Sequence, residues 1–261
     1  MVRGLDRFVA HFAGLEDQYV LIGGTAYVIL MEKAGLEPRV SKDLDIVLCL
    51  EALDSTFVAK FWDFVELGGY EKRELSDGKR NFYRFQRPSD SAFPFMIELF
   101  SRKPDVLQIP PGQHLTPIPT TEGLDSLSAI LLDDDYYQFL HDRKMVIDGM
   151  PIVDTYGLIG LKAFAWLQLT AEKESGGSVD SRNINKHRAD IIRLYALTTR
   201  ETRVDVPLRV RADIGKFLDQ LDPEMILKPY NLSETVGEVV GVLKEIFWHC
   251  TAKLRSVKSP V

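Results

Sequence analysis

The chain has 261 residues, of which 45% are hydrophobic, and its formal net charge is -6. A chain of this length can bury a substantial core in one large or two modest domains, and its acidic balance excludes a surface that binds nucleic acid everywhere. Cys49 and Cys250 form no CxxC pair, which argues against a disulfide framework and a structural zinc site. The charged N-terminal stretch lacks a signal-peptide core and the longest apolar run is too short for a membrane span, so we expect a cytoplasmic protein without a membrane partner.

Hydrophobic spacing in the first half predicts helices and strands that alternate in a small mixed unit. The predicted helices cover residues 5–12, 25–34 and 55–67. The predicted strands cover residues 19–22, 43–50, 81–86 and 93–100. The charged residues 71–78 are expected to form a turn, and the proline-rich residues 104–119 an irregular hinge.

The second half changes from sheet to helix. A strand is predicted at residues 128–132, a short helix at 133–141, and a hairpin at 145–153 around Asp148-Gly149, which is typical of a type I′ turn. A polar loop is predicted at residues 171–185, and helices at 156–170, 186–198, 208–221 and 233–253. We therefore predict an α+β fold, with a mixed-sheet domain over residues 1–150 followed by a helical domain over residues 151–261.

A glycine turn joins the first strand to the second helix. Gly23 and Gly24 follow the apolar run 19–22 and precede a helix-forming run, which Thr25 is expected to cap. The N–H groups and the dipole of a helix N-terminus favour a bound anion, so this turn predicts a phosphate site.

Carboxylates on two predicted strands suggest a metal site. Asp43 and Asp45 lie two apart in DLDIVL and therefore share one strand face, as Glu98 does in PFMIELF if its strand lies alongside. Three such acids could hold Mg²⁺ ions against a nucleotide. The simpler reading is that Asp43 belongs to a loop, Asp45 caps a neighbour, and Glu98 is a solvated or salt-bridged residue of an edge strand.

The helical half adds charged residues with their own ordinary explanations. Lys162 lies in the apolar segment YGLIGLKAFAWL, where a lysine commonly extends its ammonium to solvent. Lys186 and Asp190 are four residues apart in KHRADIIRL and share a helix face, as in many solvated, salt-bridged helix surfaces.

In this order, these features resemble the nucleotidyltransferase fold of the polymerase beta superfamily. Members of that superfamily carry a GG[ST] turn followed by [ST]xDxD, which here are GGT at residues 23–25 and SKDLD at residues 41–45, with Arg39 just before. The segments LKAFAW and KHRADIIRL resemble the AbiEii/AbiGii branch, bacterial nucleotidyltransferase-like proteins that include toxins of type IV toxin–antitoxin and abortive-infection systems. The resemblance extends over residues 18–200 and implies a nucleotidyltransferase-like sheet domain with a helical domain that completes the site.

The resemblance also implies a role for each matching position. Asp43, Asp45, Glu98 and Lys162 would be catalytic, and the three acids would bind Mg²⁺ or Mn²⁺. Asp190 would orient Lys162. The implied nucleotide-binding residues are Gly23, Gly24, Thr25, Arg39, Ser41, Lys42, Lys186 and Asp190. Many members carry aspartate as the third acid, so the general-base role stays open for Glu98.

The resulting hypothesis is a Mg²⁺-dependent nucleotidyltransferase that moves an NMP from an NTP to an acceptor hydroxyl. By analogy with the branch, the acceptor would be RNA such as a tRNA end, the protein a toxin, and a cognate antitoxin its partner. Candidate phosphate-reading residues are Lys72, Arg73, Lys79, Arg80, Arg84 and Arg182. The alternatives are a protein or small-molecule acceptor, such as an antibiotic, and a regulatory protein that binds nucleotide or a partner without turnover.

Overall fold

The structure is a computed structural model that describes residues 2–72, 83–103, 115–118 and 127–248. In this part, nine strands form one sheet, namely Tyr19–Ile22 (β1), Asp43–Leu48 (β2), Glu71–Lys72 (β3), Arg84–Gln86 (β4), Met96–Ser101 (β5), Leu115–Ile118 (β6), Leu127–Leu131 (β7), Lys144–Ile147 (β8) and Met150–Val153 (β9). The described α-helices are Leu5–His11 (α1), Gly23–Lys33 (α2), Ser55–Gly68 (α3), Asp134–Asp142 (α4), Thr155–Glu174 (α5), Ser181–Tyr195 (α6), Leu208–Asp219 (α7) and Val236–Phe247 (α8), with a 3₁₀ turn at Lys228–Tyr230.

The sheet is mixed, and β2 lies near its centre. The strand order is β3-β4-β5-β2-β1-β9-β8, in which β2 runs antiparallel to β1 and parallel to β5. On its other side β5 pairs first with β4 and then with β7, which in turn pairs with β6. The fold class is therefore α+β, as predicted.

Local sequence signals account for where the major helices begin. Asp54 caps α3 by accepting a hydrogen bond from the Phe57 N–H, and Asp154 caps α5 by accepting one from Gly157. A capping box formed by Thr235 and Glu238 starts α8. These caps satisfy N–H groups that the first turn of a helix leaves unpaired.

Three expectations for the first half need correction. Helix α2 begins at Gly23 and Ile22 is its N-cap, so Thr25 lies inside the first turn and caps nothing. Residues 71–72 form a short strand, and the rest of the predicted turn at residues 71–78 lies outside the described residues. Residues 115–118, expected to be irregular, form β6, where Pro117 is compatible with an edge strand that lacks one ladder donor.

The second half also differs from expectation in its element lengths. Helix α5 continues to Glu174 and α6 begins at Ser181, so the predicted polar loop is short. Strand β9 carries the sheet to Val153, past the predicted domain boundary at residue 150. The turn between β8 and β9 has φ values of 50° at Asp148 and 79° at Gly149, which confirms the type I′ prediction.

Apolar burial anchors the two central strands that carry the carboxylates. In β2 and β5, Leu44, Ile46, Ile97 and Leu99 are fully buried, whereas the residues between them at the start of each strand stay partly exposed. This alternation anchors both strands by burial of apolar surface, while Asp43, Asp45 and Glu98 at the start of the strands stay partly exposed.

None of the described helices is long and apolar enough to cross a membrane.

Candidate active site

A row of carboxylates crosses two adjacent parallel strands. Asp45 of β2 lies directly opposite Glu98 of β5 in the register, and Asp43 lies two residues before Asp45 on the same face. All three side chains keep part of their surface exposed. Neighbouring strands are about 4.8 Å apart, so the sheet itself brings the three acids together.

The glycine turn packs directly against this row. A Cβ atom on Gly23, whose φ is 62°, would lie 1.8 Å from Oδ2 of Asp45. One on Gly24 would lie 2.2 Å from Oγ of Ser41, a residue that is itself buried. Any side chain at either position would displace a neighbour, so the first turn of α2 can lie this close to Asp45 and Ser41 only if both residues are glycine.

Replacing Gly23 by alanine is therefore expected to lower both stability and any activity of the site. The left-handed backbone costs an L-residue about 1 kcal/mol, and the new Cβ must also push Asp45 away. Gly149→Ala is the matched control, since its φ is 79° but nothing lies within 4 Å of the added Cβ. Urea unfolding should show the larger loss for Gly23→Ala, and equal losses would contradict the close packing.

Thr25 links the first turn of α2 to the start of β2. It is fully buried, and its Oγ1 donates a 2.9 Å hydrogen bond to the backbone carbonyl of Asp43. The Thr25 hydroxyl is already bonded to the start of β2, and the phosphate contact expected of this residue stays a prediction. Its role here is to hold Asp43 against the helix.

The carboxylates destabilise one another in their ionised forms. Burial, the Glu98 charge and the Asp43 charge raise the pKa of Asp45 to about 7. Burial also raises the pKa of Asp43, although Lys186 and Lys42 partly offset this effect. A divalent cation between Asp43 and Asp45 would relieve this repulsion, and oxygen ligands of this kind suit Mg²⁺.

The third carboxylate is not free to join that pair. Nε of Arg84 donates to Oε1 of Glu98 at 2.5 Å, and a terminal guanidinium nitrogen contacts the same oxygen. Among the residues that the structure describes, no three His, Cys, Asp or Glu side chains are grouped so that they could hold a metal ion. Asp43 and Asp45 thus fit a divalent ion, whereas Oε1 of Glu98 already has a cationic partner in Arg84.

The raised pKa of Asp45 has a consequence for stability. Its folded-state pKa of about 7 lies above the usual 3.8, so the folded protein binds this proton more tightly than the unfolded chain does. The stabilising contribution of protonated Asp45 to the free energy of unfolding is complete at low pH. It is lost as pH rises from about 4 through 7, with a slope of at most about 1.4 kcal/mol per pH unit.

Urea unfolding of metal-free protein between pH 4 and 8 would measure this effect as the difference between wild type and Asp45→Asn. Addition of Mg²⁺ at pH 8 should restore stability to wild type only. A pH-independent difference between the two proteins would contradict the assigned pKa.

A buried ion cluster joins the sheet to the helical half. Asp190 of α6 accepts hydrogen bonds from Nε and Nη2 of Arg39 at 2.8 and 2.6 Å, and from Nζ of Lys162 of α5 at 2.7 Å. Asp190 is 0% and Lys162 3% exposed. Lys162 therefore does not extend to solvent but bonds to Asp190, and the catalytic role that the resemblance implies for this pair stays a prediction.

The charged side chains of this cluster shift one another's pKa values. Burial alone would raise the pKa of Asp190, but the hydrogen bonds and charges of Arg39 and Lys162 outweigh it and lower the pKa. Burial lowers the pKa of Lys162, and Asp190 opposes that change. Asp190 is thus held ionised by Arg39 and Lys162. The charges of these two side chains also act on Asp45.

Two side chains of this region were not singled out from the sequence. The Tyr27 ring lies 5.2 Å from the Arg39 guanidinium carbon and 5.5 Å from Lys162 Nζ, within the range of cation–π contacts. Burial, Lys162 and Lys186 lower the pKa of His187 to about 3, so this imidazole is neutral near pH 7. Tyr27 lies in an apolar helix and His187 among cations, and neither local sequence indicates that these side chains lie near Arg39 or Lys162.

Exposed cations surround the carboxylates. Lys42 and Lys186 are both exposed, and their charges act on Asp43. Of the predicted phosphate-reading residues, Arg182 is exposed on α6, but Arg84 is bonded to Glu98 and is not a free phosphate reader. The Lys72 side chain, Arg73, Lys79 and Arg80 lie outside the described residues.

Comparison with known proteins adds little to this geometry. No protein-family model and no curated protein match the sequence. Solved structures that match include two from Helicobacter pylori. The crystal structure of JHP933 is 14% identical, covers 93% of this chain and 90% of its own, and has a TM-score of 0.41. A protein described as a "putative nucleotidyltransferase" is 16% identical, with 93% of both chains covered and a TM-score of 0.41. At this TM-score, the likeness supports no assignment of activity.

Proposed function

We propose that this chain is a divalent-metal-dependent nucleotidyltransferase, which moves an NMP from an NTP to an acceptor hydroxyl. One observation carries the proposal. The Gly23–Gly24 helix start packs onto Asp45, and the cations Arg39, Lys42 and Lys186 surround the same carboxylates. A metal-binding pair and a phosphate-binding turn in direct contact are what a metal–triphosphate complex requires.

Each group then has a distinct task. Asp43 and Asp45 would hold Mg²⁺ or Mn²⁺, which neutralises phosphate charge when bound. The backbone N–H groups at the start of α2 and the side chains of Arg39, Ser41 and Lys42 would bind the triphosphate. Lys162, bonded to Asp190, would add a positive charge near Asp45. Lys186 would bind the nucleotide from the helical half.

The reaction would proceed by in-line displacement. The acceptor oxygen forms a bond to the α-phosphorus, and the bond from that phosphorus to the α,β-bridging oxygen breaks. Pyrophosphate leaves with the electron pair of the broken bond. The acceptor proton passes to Oε2 of Glu98, since both contacts from Arg84 end at Oε1.

For the acceptor, we propose RNA such as a tRNA end, acting in the cytoplasm, with the protein a toxin that a cognate antitoxin neutralises. The resemblance of LKAFAW and KHRADIIRL to the AbiEii/AbiGii branch supports this choice, as does the exposed Arg182 on α6.

Incubation with α-³²P-labelled NTPs, Mg²⁺ and separate pools of total RNA, lysate protein and small molecules tests the acceptor. Label in RNA supports the proposal. Label only in protein or in the small-molecule pool would replace RNA as the acceptor and leave the transferase standing. Nucleotide binding without label in any pool would indicate a regulatory binding protein.

A further inference from the structure

The pairing of β4 with β5 places Arg84 beside Glu98, at one end of the row of carboxylates. Strands β4 and β5 are antiparallel, and Arg84 lies directly opposite Glu98 in their register. The two side chains are 30% and 13% exposed. Two guanidinium nitrogens contact one carboxylate oxygen in this shielded position, so the pair is better placed than an exposed ion pair to persist in solution.

This ion pair neutralises the carboxylate that a second metal ion would need as a ligand. Two-metal sites place the ions about 4 Å apart and need carboxylates that both ions share. Here the Arg84 charge acts on Asp43 as well as on Glu98. A metal ion bound by Oε1 of Glu98 would therefore have to displace a guanidinium that already neutralises this side of the row.

We propose that the site binds one divalent ion, through Asp43 and Asp45, and that Arg84 takes the place of a second ion and fixes Glu98 as a base. This inference rests on the proposed nucleotidyl transfer. Glu98 is then not a metal ligand, and Arg84 is a positioning residue whose charge does part of the work that a second cation does elsewhere.

Electron paramagnetic resonance of bound Mn²⁺ tests the proposal without relying on turnover. Wild type, Glu98→Gln, Arg84→Gln and Asp45→Asn would each be saturated with Mn²⁺ and a non-hydrolysable NTP analogue. Two Mn²⁺ ions about 4 Å apart are magnetically coupled, whereas one ion gives the spectrum of an isolated centre. Circular dichroism melts of the four proteins check that each is folded.

We expect one uncoupled Mn²⁺ per chain in wild type, the same ion with an affinity within about tenfold of wild type in Glu98→Gln, and none in Asp45→Asn. Arg84→Gln frees Glu98 and should acquire a second, coupled ion. A coupled pair in wild type, a loss of affinity of about tenfold or more in Glu98→Gln, or a single ion in Arg84→Gln would each overturn the proposal.

The Mn²⁺ spectra together with the labelled-NTP incubation separate this inference from the function on which it rests. One Mn²⁺ in wild type without nucleotidyl transfer to any acceptor would contradict the proposed function but keep the one-ion site. No bound Mn²⁺ in wild type would contradict both. Transfer activity with a coupled ion pair in wild type would keep the function and overturn only the role of Arg84.

Discussion

Asp45→Asn is expected to abolish nucleotidyl transfer while the melting temperature of the metal-free protein at pH 8 stays the same or rises. Removing this ligand takes away several kcal/mol of charge stabilisation in the transition state, so transfer should fall by at least about 10³-fold. Stability should not fall, because the ionised Asp45 is repelled by Glu98 and Asp43 and its pKa is raised to about 7.

Asp63→Asn makes the same chemical change at an exposed position of α3 and is the matched control. It should leave both the transfer rate and the melting temperature near the wild-type values. A normal transfer rate in Asp45→Asn would refute the metal role, and a large drop in its melting temperature would mean that Asp45 stabilises the fold instead.

Asp190→Asn is expected to cause the largest loss of stability among single changes at the site, about 3–5 kcal/mol. The substitution leaves the charges of Arg39 and Lys162 facing each other with no anion between them, and Asp190 is 0% exposed. Urea unfolding measures the loss.

Asp219→Asn provides the control for this second prediction. Asp219 also pairs with a lysine, at 2.9 Å from Lys244, but both side chains are largely exposed. Its removal should cost less than about 1 kcal/mol. Similar losses for Asp190→Asn and Asp219→Asn would contradict a buried, structurally required cluster between the sheet and the helical half.

The placement of the carboxylates follows from local sequence pattern. The period of two in DLDIVL puts Asp43 and Asp45 on one face of β2, and in MIELFS it puts Glu98 on the face opposite Ile97 and Leu99, because a strand alternates its side chains. That β2 and β5 are neighbours was a condition of the metal hypothesis, and the register confirms it. Their functional roles remain predictions.

The cation partners could not be predicted in the same way. Arg39 and Asp190 are 151 residues apart, and nothing in the local sequence indicates that they bond. Arg84 meets Glu98 only because β4 pairs with one side of β5 while β2 pairs with the other. Local pattern predicts which way a side chain faces, whereas strand order, which depends on the whole fold, decides what it meets.

The central claim is that the Gly23–Gly24 turn and the Asp43/Asp45 pair form a site that transfers NMP. Parallel incubations of wild type and Asp45→Asn with α-³²P- and γ-³²P-labelled ATP, GTP, CTP and UTP, Mg²⁺ and cell lysate test it most directly. We expect α-label, and no γ-label, on an acceptor with wild type only, and loss of that label with EDTA. Absence of α-label from every NTP while nucleotide still binds, or equal labelling by Asp45→Asn, would contradict the claim.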